Sequence, residues 1–270
     1  MKCLASLKER NTNLGNWPRE DNRHLLHVVY NVGNMEISTK WYQECLGMSI
    51  LRKRDFPDEK YTNVFVGYDY GVTKFDNGDA FGHFGIAVPN LQKTLDSIKK
   101  LGYAAPSSPS EEHCDVFAIV VDPNGYKFKL IQRDSSREPF CQVSLHVGDI
   151  NHSILYYQDA YGMKLIARKD FPAQKKAFAY LSYDMDKRRS TVLEFEYNYD
   201  KTNYSKGNGY AQLAIGTEDI YKTYEACEII DGGQTVTIPT TSPNTNTKIY
   251  AVIDPDGWRT VEFLSHTALI

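Results

Sequence analysis

The chain predicts an α+β protein of four βαβββ units in two tandem halves, with the first unit lacking one strand. Three observations carry this prediction. The second half repeats the first, each half holds two similar strand–helix openings, and Asp-Pro-x-Gly turns recur between strand-forming runs. Self-comparison shows the repeat. Residues 27–69 align with 142–184 at a constant offset of 115, so that Gly33 meets Gly148, Tyr42 meets Tyr157, Gly47 meets Gly162 and Pro57 meets Pro172. From Phe81 to Phe84, aligned with Tyr210 to Leu213, the offset is 129. The difference is a 14-residue gap in the first copy, opposite MDKRRSTVLEFEYN in the second.

Each unit opens on an alternating apolar strand, at residues 27–32, 83–88, 142–147 and 212–215. An amphipathic helix follows. Ile37, Trp41 and Cys45 recur at four-residue spacing in the first, and Leu91, Leu95 and Ile98 mark the second. Asn34, Asn90, Asp149 and Thr217 stand where an N-cap oxygen is needed. Gly47, Gly102 and Gly162 stand where a helix end calls for a residue tolerant of positive φ. Strand-rich segments such as 116–121 and 126–131 close each unit around the tight turns Asp122 to Gly125 and Asp254 to Gly257. The polar, Pro-ended run 133–139 is a natural linker. The expected organisation is a loosely held tail over 1–22, a first domain over 23–134 and a second over 135–270.

Composition is that of a globular protein: 41% hydrophobic, 24% charged, with a formal net charge of -3. No Lys/Arg-rich run is present, which argues against a nucleic-acid or membrane-surface partner. No apolar run reaches the length of a membrane span. The N-terminus lacks the apolar stretch of a secretory signal, so the expected location is cytoplasmic, or a plastid-type organelle if a targeting segment has been removed. Five cysteines without a C-x-x-C pair read as reduced thiols. Asn203-Tyr204-Ser205 fits a glycosylation acceptor, discounted without that signal.

The runs HVVYNVGN, KWYQECLGM, FGHFGIAV, DPNGYKFKL, CQVSLHVGD, LEFEYNYD, YAQLAIGTEDIYKT and DPDGWRTV carry a resemblance. The chain resembles the vicinal-oxygen-chelate superfamily and, within it, glyoxalase I (lactoylglutathione lyase) in its two-domain plant form. The resemblance spans the chain from about Trp17 to the end. It implies a lyase of the methylglyoxal/glutathione detoxification pathway. Such an enzyme turns the hemithioacetal of methylglyoxal and glutathione into S-lactoylglutathione at a divalent metal, zinc or nickel. The metal stabilises the enediolate and a metal-bound Glu moves the proton between adjacent carbons.

Carried over residue by residue, the resemblance pairs the second unit with the third. It makes His83, Gln142 and Glu194 metal ligands, with Glu194 also catalytic, and places Asn198 against the glutathione peptide. Lys129 stands at the position of the catalytic, proton-shuttling Glu. An ammonium has no lone pair for a metal. The expectation is a Lys129 that pairs with Glu194 and leaves no bound metal; the alternative is a Lys129 that snorkels outward. A second, degenerate site would pair His27 and Gln212 with Glu262. There the first-unit Glu is lost in the gap, and Val261 holds the ligand position one residue before Glu262. A bulge would be needed to bring Glu262 in. His146 stands where the family places an Arg for a substrate carboxylate.

Three readings follow. The first is a glyoxalase I-like protein with impaired or no isomerase activity. The second is an active metal-dependent lyase, and the third a related activity on a three-ligand site. A glutathione-derived small molecule is the expected ligand, and both sites lie within one chain, so a monomer suffices.

Overall fold

The computed structural model describes residues 16–21, 23–50, 53–56, 61–64, 67–69, 76–103, 106–112, 115–133, 139–242 and 247–264. The four units follow in order. The first holds β1 (His24–Tyr30), α1 (Met35–Leu46), β2 (Lys53–Phe56), β3 (Tyr61–Val64) and β4 (Gly67–Asp69). The second holds β5 (Phe81–Val88), α2 (Leu91–Lys100), β6 (Ser110–Glu112), β7 (Asp115–Val121) and β8 (Lys127–Gln132). The third holds β9 (Phe140–His146), α3 (Ile150–Tyr161), β10 (Lys164–Phe171), β11 (Lys176–Ser182) and β12 (Val192–Asn198). The fourth holds β13 (Tyr210–Thr217), α4 (Ile220–Glu228), β14 (Gln234–Thr241), β15 (Lys248–Ile253) and β16 (Arg259–Leu264).

The helices start where short polar side chains offer an oxygen to free amides. Asn34 accepts from Ile37 N, Asn90 from Lys93 N, and Asp149 from Asn151 N and His152 N. The fourth cap is Asp219, which accepts from Tyr221 N and Lys222 N. Thr217, expected in that role, ends β13, and its hydroxyl bonds Asp21 and Thr223 instead. The strand runs two residues further than the pattern suggested.

Units two and three share an eight-stranded sheet in the order β10-β11-β12-β9-β5-β8-β7-β6. Units one and four share a five-stranded sheet in the order β1-β13-β16-β15-β14. The halves are therefore laced together through the β5–β9 and β1–β13 ladders. Within each half, contact is made by the helix of the leading unit. Tyr42 OH on α1 donates to Asp122 Oδ2 at 2.7 Å, and its repeat partner Tyr157 OH on α3 donates to Asp254 Oδ2 at 2.8 Å. Around them Trp41, Phe84, Phe128, Tyr157 and Phe195 form one buried core.

Two expectations need correction. The first unit does not lack a strand: β2, β3 and β4 form a three-stranded sheet of their own. The gap shortens a hairpin. Ala177 pairs with Tyr197 in the long β11–β12 hairpin, and its counterpart Thr62 pairs with Asp69 in the short β3–β4 one. The counterpart of Tyr180, which pairs with Glu194, is Phe65, and it lies outside the described residues. The tail is also partly anchored. Residues 16–20 form a helical turn, Arg19 pairs with Asp159 at 2.5 Å, and Asp21 is buried against Thr217 and Glu218 N.

Candidate functional site

His83, Lys129, Gln142 and Glu194 lie on four adjacent strands of the eight-stranded sheet, β5, β8, β9 and β12. Their registers align them. Gly85 pairs with both Gln142 and Lys129, His83 pairs with Ser144, and Glu194 pairs with Ser144 from the other side. Period-two alternation then puts all four side chains on one face, with Phe84 and Phe128 on the other in the core. Gly85 is required here: a Cβ would lie 2.5 Å from Gln142 Cβ.

The structure brings the expected ligands together. Gln142 Nε2 donates to Glu194 Oε2 at 2.5 Å and lies 3.3 Å from His83 Nε2. His83 Nε2 lies 3.8 Å from Glu194 Oε1. Gln142 and Glu194 are buried. Burial first, and the Lys129 charge second, push the His83 imidazole down to about 3, so it is neutral at pH 7. Lys129 is 9% exposed and does not snorkel outward. Its ammonium sits 4.3 Å over the Phe117 ring of β7, and its side chain lines the same cavity as Gln142 and Glu194.

This set does not fit a four-ligand metal centre. One imidazole, one amide and one carboxylate converge, but the fourth place holds a cation. A Gln ligates through its oxygen, whereas here the amide nitrogen faces both the carboxylate and the imidazole. Among the described residues no three His, Cys, Asp or Glu side chains converge.

Asn198 and His146 sit at the far end of the same face. Asn198 Nδ2 donates to Tyr204 OH at 3.1 Å. His146 Nδ1 lies 2.6 Å from the Asp79 carbonyl, and Nε2 lies 3.4 Å from Glu196 Oε2. Lys176 Nζ donates to Glu196 Oε1 at 2.5 Å. Burial works against ionisation of Glu196, but the His146 and Lys176 hydrogen bonds outweigh it and hold the carboxyl at about 2. The sequence reading missed this Lys176–Glu196–His146 line. The signal was alternation, which aims residues 194, 196 and 198 the same way.

The second site does not assemble as expected. Loss of solvent around the half-buried His27 pushes its imidazole down to about 4, and its ring lies 5.6 Å from that of Phe263. Gln212 pairs with Val29 beside it. Glu262 goes elsewhere. The β13–β16 ladder pairs Ala214 with Val261 and Ile215 with Glu262, and neither it nor the β15–β16 ladder holds a bulge. Glu262 therefore points to the opposite face, where the charges of Arg23 and Asp21 act on it.

Tandem βαβββ units paired across halves, with a His/Gln/Glu triplet at the strand centres, define a vicinal-oxygen-chelate protein. The sequence pattern of the Glyoxalase/Bleomycin resistance protein/Dioxygenase superfamily matches residues 24–130 and 140–261. Lactoylglutathione lyase of Oryza sativa subsp. japonica is 46% identical over 264 residues, covering 91% of this chain and 90% of the rice protein. A probable chloroplastic lactoylglutathione lyase of Arabidopsis thaliana is 46% identical over 260 residues, covering 91% of this chain and 74% of that protein. The crystal structure of glyoxalase I from Zea mays matches with a TM-score of 0.88 at 44% identity, over 94% of this chain and 96% of that one. The chain belongs to the glyoxalase I family, in its two-domain plant form.

Proposed function

We propose that this protein binds a glutathione-derived adduct of a 2-oxoaldehyde over His83, Gln142 and Glu194, and that its hemithioacetal isomerase activity is impaired or absent. The observation that supports this is the buried Lys129. Proton transfer between adjacent carbons needs a carboxylate near the reacting C–H and a positive centre for the enediolate oxygens. Lys129 supplies charge at the place where the carboxylate is needed. Its ammonium raises the cost of a dication at the same triplet. In this reading Lys129 pairs with Glu194, and Asn198 and His146 face the peptide part of the adduct. Glu262 takes no part, and His27 and Gln212 are left as the remnant of the second site. Residence in the cytoplasm, or in a plastid as for the chloroplastic relative, is consistent with such a ligand.

A second reading, an active metal-dependent lyase, is favoured by the 46% identity to the rice enzyme over 91% of the chain. An isomerase assay on purified protein, with zinc or nickel added and Lys129→Glu alongside, separates the two. The expected result is wild type near background with less than stoichiometric metal, and a variant that gains both metal and turnover. The gain in rate is expected to reach the 10²–10⁴-fold range of a positioned proton carrier. Turnover by wild type well above background, with bound metal, establishes the second reading.

A further inference from the structure

The cavity beside the triplet extends away from Asn198 and His146, toward Arg133 and the loop that joins β11 to β12. Its volume is about 110 Å³. One water needs ~15 Å³ of space counted in this way, so the cavity suits a group of about seven or eight non-hydrogen atoms. Lys129, Arg133, Lys169 and Lys187 line it, against the carboxylates Asp115 and Glu194. The lining thus carries two positive charges in excess. Arg133 is 8% exposed in its side chain, and its Nε is buried without a hydrogen-bond partner among the described residues. Ile131 and Val192 supply an apolar wall.

The far end is closed by the segment that the first half lacks. Lys187 Nζ donates to Asp115 Oδ2 at 2.6 Å, and Arg133 reaches the Lys187 carbonyl at 3.4 Å. These contacts tie the 183–191 loop to β7 and to the residue that follows β8. Lys187 and Arg133 are thereby held at the rim of a small recess, where attraction for an anion is stronger than at a flat surface.

We propose that this cavity is a binding site for a small carboxylate on a short carbon chain, with Lys129 as its principal counter-ion. A carboxylate matches the positive excess, accepts from the ammonium groups and from Arg133 Nε, and leaves its carbons against Ile131 and Val192. The inference rests on the preceding reading at one point: Lys129, rather than a metal, holds this place. It adds a ligand class that does not involve the glutathione-facing end.

Titration calorimetry on the chelator-treated full chain tests it, with malonate, succinate and inorganic phosphate as separate probes. Lys129→Met keeps the length of the side chain without its charge, and its melting temperature reports whether it folds. The expected result is one-to-one binding of malonate or succinate, weakened by added salt, with at least a tenfold loss in Lys129→Met. No heat at millimolar dicarboxylate, or equal affinity in wild type and Lys129→Met, overturns the proposal. Phosphate bound in preference to both dicarboxylates also overturns it. Metal analysis of the same untreated sample reads the underlying point separately: stoichiometric metal removes that reading, whereas a metal-free protein that ignores carboxylates removes only this one.

Discussion

Glu262 has no exposed surface, and neither of its carboxylate oxygens has a hydrogen-bond partner among the described residues. Burial raises its carboxyl to about 8; the Arg23 charge pulls the other way but is outweighed. Arg23 is itself engaged, bonding Asp21, the Ala160 carbonyl and Thr223. An unfolded glutamate loses its proton near pH 4.5. Between that pH and about 8 the folded chain binds one proton more than the unfolded one, so Glu262 makes stability fall as pH rises. The penalty is absent below pH 4.5 and complete above about 8, where it is on the order of several kcal/mol. Glu262→Leu is therefore expected to raise the melting temperature, by more at about pH 8.5 than at about pH 5. A Glu262→Leu chain no more stable than wild type at the higher pH would show that the carboxyl is solvated or paired. The residue was legible as the wrong parity for a ligand, since Val261 precedes it on the same strand. Its burial beside Arg23 was not, because residues 16–23 carry no periodicity and their docking depends on tertiary contacts.

At the scale of elements, the repeat supplies an internal control. Gly47 and Gly162 end α1 and α3 in the same left-handed conformation, at φ +67 and +68. A Cβ on Gly47 would meet nothing within 4 Å, whereas one on Gly162 would lie 1.8 Å from the Pro18 carbonyl oxygen. Ala at either position costs ~1–2 kcal/mol for the positive φ. At Gly162 it must also lift the 16–20 turn. Gly162→Ala is expected to lower the melting temperature clearly more than Gly47→Ala and to expose the N-terminal segment to limited proteolysis; equal effects would mean that the turn is not held there. The glycines were legible from their spacing, as were Asn34, Asn90 and Asp149 as caps. The gap was legible as a gap, but its consequence was not. Sequence length does not tell whether a strand is deleted or a hairpin trimmed from its turn, and only the shared register of Thr62 with Asp69 and Ala177 with Tyr197 decides it.

For the whole molecule, the decisive fact is where the backbone ladders run. No ladder among the described residues joins the two units of one half. The β5–β9 and β1–β13 ladders both cross between halves, while contact within a half rests on side chains such as Tyr42 with Asp122. The candidate site inherits this arrangement, since His83 and Lys129 come from the first half and Gln142 and Glu194 from the second. Each half produced alone, as 23–134 or 135–270, would expose two long unpaired strand edges, β1 and β5 or β9 and β13. Such edges recruit other strands. Each isolated half is therefore expected to self-associate or aggregate, whereas the two produced together co-purify as a one-to-one pair with the circular dichroism of the full chain. The full chain satisfies all four edges internally and is expected to run at the mass of a single chain. Light scattering coupled to size exclusion decides the matter: a folded, monomeric half would mean that side-chain contacts within a half suffice, and that the ladders between halves are a consequence of assembly rather than its cause.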